Sequence, residues 1–106
     1  VAQGIQDAPF IFSDSSDNAF IFWNDYREDY GNDLMKDIYA QKINLQGKIL
    51  WMQDGVKVCN LKNSQNLPIA SSDGSEGAFT VWSDAREDTG DVYFQRILSN
   101  SSFVFK

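Results

Sequence analysis

Histidine is absent from this chain of 106 residues. That removes the side chain most used as a general base near neutral pH, the commonest transition-metal ligand, and the base of most nucleophilic triads. Cysteine occurs once, at Cys59, so no disulfide can close within the chain and no zinc-ligand spacing exists. Basic residues are outnumbered: 9 Lys and Arg against 15 Asp and Glu give a formal net charge of −6. Gripping a phosphate backbone requires a basic face, so nucleic acid is not an expected partner. No stretch approaches the roughly 18 consecutive apolar residues of a membrane helix, and no basic-then-apolar leader opens the chain. Membrane insertion is therefore not expected. No long segment carries an apolar period of 3.6, which predicts little helix.

What is present suits a small β domain, or part of a larger one. Hydrophobic residues make up 42%, enough for a packed core and too many for a disordered chain. Aromatics reach 14% and gather in short runs such as Phe20-Ile21-Phe22-Trp23, which favour strands. A start at Val1 with no initiator Met leads us to expect a processed product or a fragment.

The chain repeats itself. Pro9, Ser13-Asp14, Ala19-Phe20, Trp23, Asp25 and Arg27 recur as Pro68, Ser72-Asp73, Ala78-Phe79, Trp82, Asp84 and Arg86, at a constant offset (82 − 23 = 59). Asp37-Ile38-Tyr39-x-Gln41-Lys42-Ile43 then recurs as Asp91-Val92-Tyr93-x-Gln95-Arg96-Ile97, at an offset of 54 (91 − 37 = 54). The first copy holds extra residues between these two blocks. Turn residues divide each copy into short strands. Those expected are Phe10–Ser13, Ala19–Asn24, Ile38–Asn44 and Ile49–Met52, then Ile69–Ser72, Ala78–Ser83, Val92–Leu98 and Phe103–Phe105.

Four strands per unit match the blade of a β-propeller. The pattern resembles the WxDxR…DIYxQ repeats of large secreted bacterial proteins of the type IX secretion cargo kind. Pro9/Ser13/Asp14, Gly47/Trp51 and Asp54-Gly55-Val56-Lys57-Val58 fill the rest of that pattern. The resemblance implies an all-β fold of two consecutive four-stranded antiparallel blades, the second truncated, belonging to a larger propeller. The division it suggests is 1–8 as the tail of a preceding blade, 9–59 as the first blade, 60–67 as the connection and 68–106 as the incomplete second blade. Further blades, in the same or another chain, are then partners. The setting implied is secreted or cell-surface. Leu45–Trp51 also resembles the GKxxW docking element of quinoprotein propellers, where the Trp packs blades together and implies no cofactor.

Repetition separates architecture from function. A catalytic group is normally needed once, so residues present in both units are read as structural: Trp23, Asp25, Arg27, Asp37, Tyr39 and Gln41, with Trp82, Asp84, Arg86, Asp91, Tyr93 and Gln95. Trp would fill the wedge between blades, and Arg with Asp would latch the hairpin between second and third strands. The segment that does not recur is Tyr30–Lys36. On a propeller it would share a rim with the connection 59–67. Tyr26, Tyr30, Asn32, Asp33, Leu34, Met35 and Lys36 are therefore the candidate binding residues, facing a protein or polysaccharide partner.

Three other readings compete with it. Asp29, Asp33 and Asp37, or Asp14 with Asp17 and Asn18, supply hard oxygen ligands for calcium, but neither set has DxDxDG spacing. No cofactor is otherwise expected. A sialidase-type Asp box would suggest a glycosidase, with these blades supplying substrate-binding loops. However, Asp73 has Ser75 and Ala78 where Gly and Trp belong, and Asp14 has Ser16 and Ala19. A purely structural spacer is the third. The reading adopted is a non-catalytic scaffold or binding module.

Overall fold

A computed structural model of the chain describes residues 6–14, 16–27, 37–58, 65–84 and 91–105. Strands β1 (Gln6–Ser13), β2 (Ala19–Asp25), β3 (Asp37–Ile43) and β4 (Val56–Lys57) form an antiparallel sheet in chain order. Strands β5 (Gln65–Ser72), β6 (Ala78–Asp84) and β7 (Asp91–Ile97) form a second, three-stranded antiparallel sheet. The described residues include no helix. The chain is all-β, with the sequence repeat converted into a repeat of register. Trp23 lies opposite Tyr39 in one sheet, and Trp82 lies opposite Tyr93 in the other.

Each proline falls at an irregularity in the first strand of its sheet. The pairing shifts between Asp7 and Phe10, and again between Asn66 and Ile69. Proline has no N–H for a ladder, so a bulge is one of the few places a strand accepts it. Ala8 takes a positive φ of 52° in the first of these bulges.

The expected fourth strands at Ile49–Met52 and Phe103–Phe105 are not strands. Only Ile49 and Phe103 pair, as isolated bridges to Ile43 and Ile97. The cause is a side chain. Gln41 accepts the Trp51 N–H at 3.1 Å through Oε1 and donates from Nε2 to the Met52 carbonyl at 2.7 Å. Gln95 does the same work at Phe105, accepting its N–H at 2.9 Å and donating to its carbonyl at 2.6 Å. A glutamine amide therefore stands between the third strand and the chain that follows it, where a backbone ladder was expected. The first sheet regains a fourth strand only after the Asp54-Gly55 turn, where Val56 and Lys57 pair with Ala40 and Tyr39. β1 and β5 also begin earlier than expected, inside the segments assigned to the tail and to the connection.

The sheets pack face to face, with β5 lying across β1, β2 and β3. Phe20, Phe22, Ile38 and Ala40 of the first sheet share a core with Ala70, Ala78, Trp82 and Ile97 of the second. Alternation along β2 explains the choice of face, since Phe20 and Phe22 project to the same side of a strand. Phe12 stacks on Phe20 at 5.1 Å, and Trp51 tilts against Phe20 at 5.5 Å. Hydrogen bonds that cross between the sheets among the described residues include Lys42 Nζ to the Glu76 carbonyl at 2.8 Å and Trp51 Nε1 to the Ser99 carbonyl at 2.9 Å. Trp51 thus docks one sheet on the other.

The turns after β3 and β7 share a backbone plan. Gly47 has φ +82° in the first, and Ser101 has φ +71° at the equivalent place in the second. A left-handed serine carries strain of about 1–2 kcal/mol, partly offset by the entropy a glycine would lose on folding. Ser101→Gly is expected to raise stability by about 0.5–1 kcal/mol. Urea unfolding checks this, and a lower midpoint would show that the serine side chain supports the turn.

Candidate functional site

The repeated Trp-x-Asp-x-Arg residues converge on one carboxylate. Asp25 is the last residue of β2 and is only 1% exposed. One oxygen accepts from the Arg27 amide and from Arg27 Nε, both at 2.8 Å. The other accepts from Trp23 Nε1 at 2.8 Å and from Arg27 Nη2 at 2.6 Å. The guanidinium lies over the Tyr39 ring, 3.8 Å from its centroid, and the Tyr39 ring stacks near Trp23 at 6.3 Å. Arg27 Nη2 also donates to the Asp54 carbonyl at 2.8 Å. The latch therefore reaches further than the β2–β3 hairpin expected from sequence. It ties the end of β2 to the Asp54-Gly55 turn and so places β4.

A second constellation repeats in the β1–β2 and β5–β6 turns. Asp14 accepts the amides of Ser16 and Asn18 at 2.7 and 3.0 Å. Asp73 accepts those of Ser75 and Gly77 at 2.7 and 2.9 Å. The copies then diverge. Asn18 Nδ2 reaches the second Asp14 oxygen at 3.3 Å, leaving Lys42 Nζ 3.8 Å away, and that ammonium turns to the Glu76 carbonyl. Gly77 replaces Asn18 in the second turn, and a Cβ there would sit 2.5 Å from Asp73 Oδ2. Arg96 Nε bonds that oxygen at 3.0 Å. Sequence reading flagged Ser-Asp and Gln-[Lys/Arg]-Ile as repeats but did not pair the aspartate of one with the cation of the other.

Burial pushes the carboxyls of Asp14, Asp25 and Asp73 up, and their hydrogen bonds outweigh it. For Asp25 these come from Arg27 and Trp23, for Asp14 from the Asn18 and Ser16 amides, and for Asp73 from the Ser75 and Gly77 amides. All three sit below the ordinary carboxylate range. A carboxyl lowered in the folded state adds stability above its unfolded pKa of about 3.9, which is lost as pH falls through the folded value. Urea midpoints are expected to hold from pH 7 to about 5 and to fall steeply below about 4.5. Asp25→Asn should make that fall shallower; an unchanged slope would remove Asp25 from the acid response.

The residues proposed to bind are only partly within view. Tyr26 is described: its hydroxyl donates to Asp7 Oδ2 at 3.2 Å. Asp7 lines an open cleft of about 240 Å3 with Gln6, Pro9, Ile21 and Trp23. Tyr30, Asn32, Asp33, Leu34, Met35 and Lys36 lie outside the described residues, as do Asp29 and Arg86 and the side chains of Asp84 and Asp91. Of the calcium candidates, Asp37 is buried and forms an ion pair with Lys57 Nζ at 3.3 Å. Among the described residues no group of three or more acidic or thiol side chains is placed to hold a metal. No family model, curated protein or solved structure matches the chain.

Proposed function

We propose that the chain is part of a non-catalytic scaffold of propeller-blade type, from a secreted or cell-surface bacterial protein, presenting rim loops to a protein or glycan partner. The observation that carries this reading is how fully the repeated polar groups are engaged. Both oxygens of Asp25 are occupied by Trp23 and Arg27, and Asp73 is occupied by turn amides and Arg96. Acids bonded in this way hold backbone in place and are poorly set to exchange protons with a substrate. The aromatic core and the Asp25–Arg27 latch give such a module its stiffness, and the unrepeated segment supplies its individuality.

The test is binding by the purified protein to an array of glycans and to extracellular protein fractions, with Asp33→Asn and Met35→Ala compared against the parent. The reading expects tenfold or greater weakening without a change in melting temperature. If both variants bind as the parent does, the rim segment is not the contact surface.

A further inference from the structure

The two sheets expose opposite faces of the same repeat, and we infer from this that the chain docks head to tail on a second copy of itself. The first sheet buries Phe20, Phe22, Ile38 and Ala40 completely against the second. Their equivalents one repeat on are Phe79, Val81, Val92 and Phe94, which are 44%, 39%, 74% and 59% exposed. On the other face the order reverses. Pro68, Ala70 and Thr80 are buried beneath the first sheet, whereas their equivalents Pro9 and Ile11 are exposed and Ile21 is only half-buried. Thus one outer face has the character of the covering side of the interface already formed, and the other has that of the covered side. A contact built this way joins unlike faces, so it propagates into a ring or a filament.

Side-chain volume favours this occupant. Relative to the first sheet, the outward face of the second is cut back at its first two strands: Phe10, Phe12 and Phe22 become Ile69, Ser71 and Val81. Relative to the second sheet, the outward face of the first is built up there: Ala70 and Thr80 become Ile11 and Ile21. In the existing interface β5, which carries Ala70, lies across β1 and β2, which carry those phenylalanines. The loss on one face is therefore matched by the gain on the face it would meet, as close packing requires. A polar contact follows the same rule. Arg96 stands where Lys42 stands and Asp17 where Glu76 stands, so Arg96, whose Nε is held by Asp73, would reach the Asp17 carbonyl of the second copy through its Nη groups, as Lys42 reaches Glu76. The inference shares with the scaffold reading the idea of stacked repeats, but it needs no rim partner.

Sedimentation equilibrium across a concentration series tests it. The parent is expected to exceed its 12.0 kDa monomer mass. Phe94→Asp on one face and Ile11→Asp on the other are both surface changes, checked as folded by circular dichroism. Each is expected to weaken association about 30-fold or more. Mixed in equal amounts, the two variants should form a dimer and nothing larger, because each retains one intact face. A parent that stays monomeric to millimolar concentration overturns the inference and leaves only another repeat within one polypeptide as occupant. If Ile11→Asp associates like the parent, like faces are pairing and the head-to-tail arrangement is wrong. Rim-dependent ligand binding by a strictly monomeric protein would overturn this inference alone and leave the scaffold reading standing.

Discussion

Asp25→Ala is expected to lower the unfolding free energy by about 3–5 kcal/mol, the cost of removing one partner of a buried ion pair. The substitution deletes the acceptor for the Trp23 indole, the Arg27 amide and two guanidinium nitrogens. It also leaves the Arg27 side chain, 20% exposed, without its carboxylate. Against a total stability of about 5–15 kcal/mol, that loss brings a domain of this size close to unfolding at body temperature. Trp23→Phe separates the contributions. It keeps most of the ring and loses only the indole donor, so it should cost about 1–2 kcal/mol. Asp25→Ala combined with Arg27→Met should be milder than Asp25→Ala alone, because no unpaired charge remains. Chemical denaturation of the four proteins decides the matter. A cost below about 1 kcal/mol for Asp25→Ala would show that the latch is not a principal support.

Gly55→Ala is expected to cost about 2–4 kcal/mol. Gly55 has φ +98°, where L side chains are strained. A Cβ there would also meet the Trp23 ring at 2.7 and 2.8 Å and the Ala40 carbonyl at 3.3 Å. The indole cannot retreat freely, because its N–H is held by Asp25. The two predictions are therefore coupled. In a Trp23→Phe background the smaller ring gives way, and Gly55→Ala should lose at least half of its penalty. Equal penalties in both backgrounds would assign the whole effect to backbone strain. Gly47 provides the contrast: it too has positive φ, but nothing lies within 4 Å of its would-be Cβ. Gly47→Ala should register strain alone, about 1 kcal/mol.

These residues show how far the sequence could be read. The repeat was visible in Trp23, Asp25, Tyr39 and Gln41 and their equivalents, because architecture used twice leaves two copies of its pattern. It led directly to six of the seven strands, β1 to β3 and β5 to β7, but not to β4 or to the proline bulges. The fourth strand was misplaced because Ile49–Met52 has the composition of a strand. What displaces it is a tertiary act, the Gln41 amide occupying the ladder position. Gly55 was legible only as part of the Asp54–Val58 pattern, since the closeness of Trp23 depends on β4 returning beside β3. The candidate site was the least legible part. Its unrepeated segment could be delimited by what failed to recur, but Tyr26 and its link to Asp7 depend on which loop ends meet in space.

The glutamine that displaces the fourth strand also governs how these molecules misassociate. A sheet with a long, regular free edge invites strand addition from a neighbour, the first step toward fibrils. Here β4 has only two residues, Gln41 and Gln95 engage the backbone that follows β3 and β7, and a bulge with proline interrupts β1. Among the described residues, neither edge of the first sheet offers a clean template. Growth through side-chain faces is thereby kept apart from growth through backbone edges. A sheet rich in phenylalanine is thereby denied an easy route into amyloid.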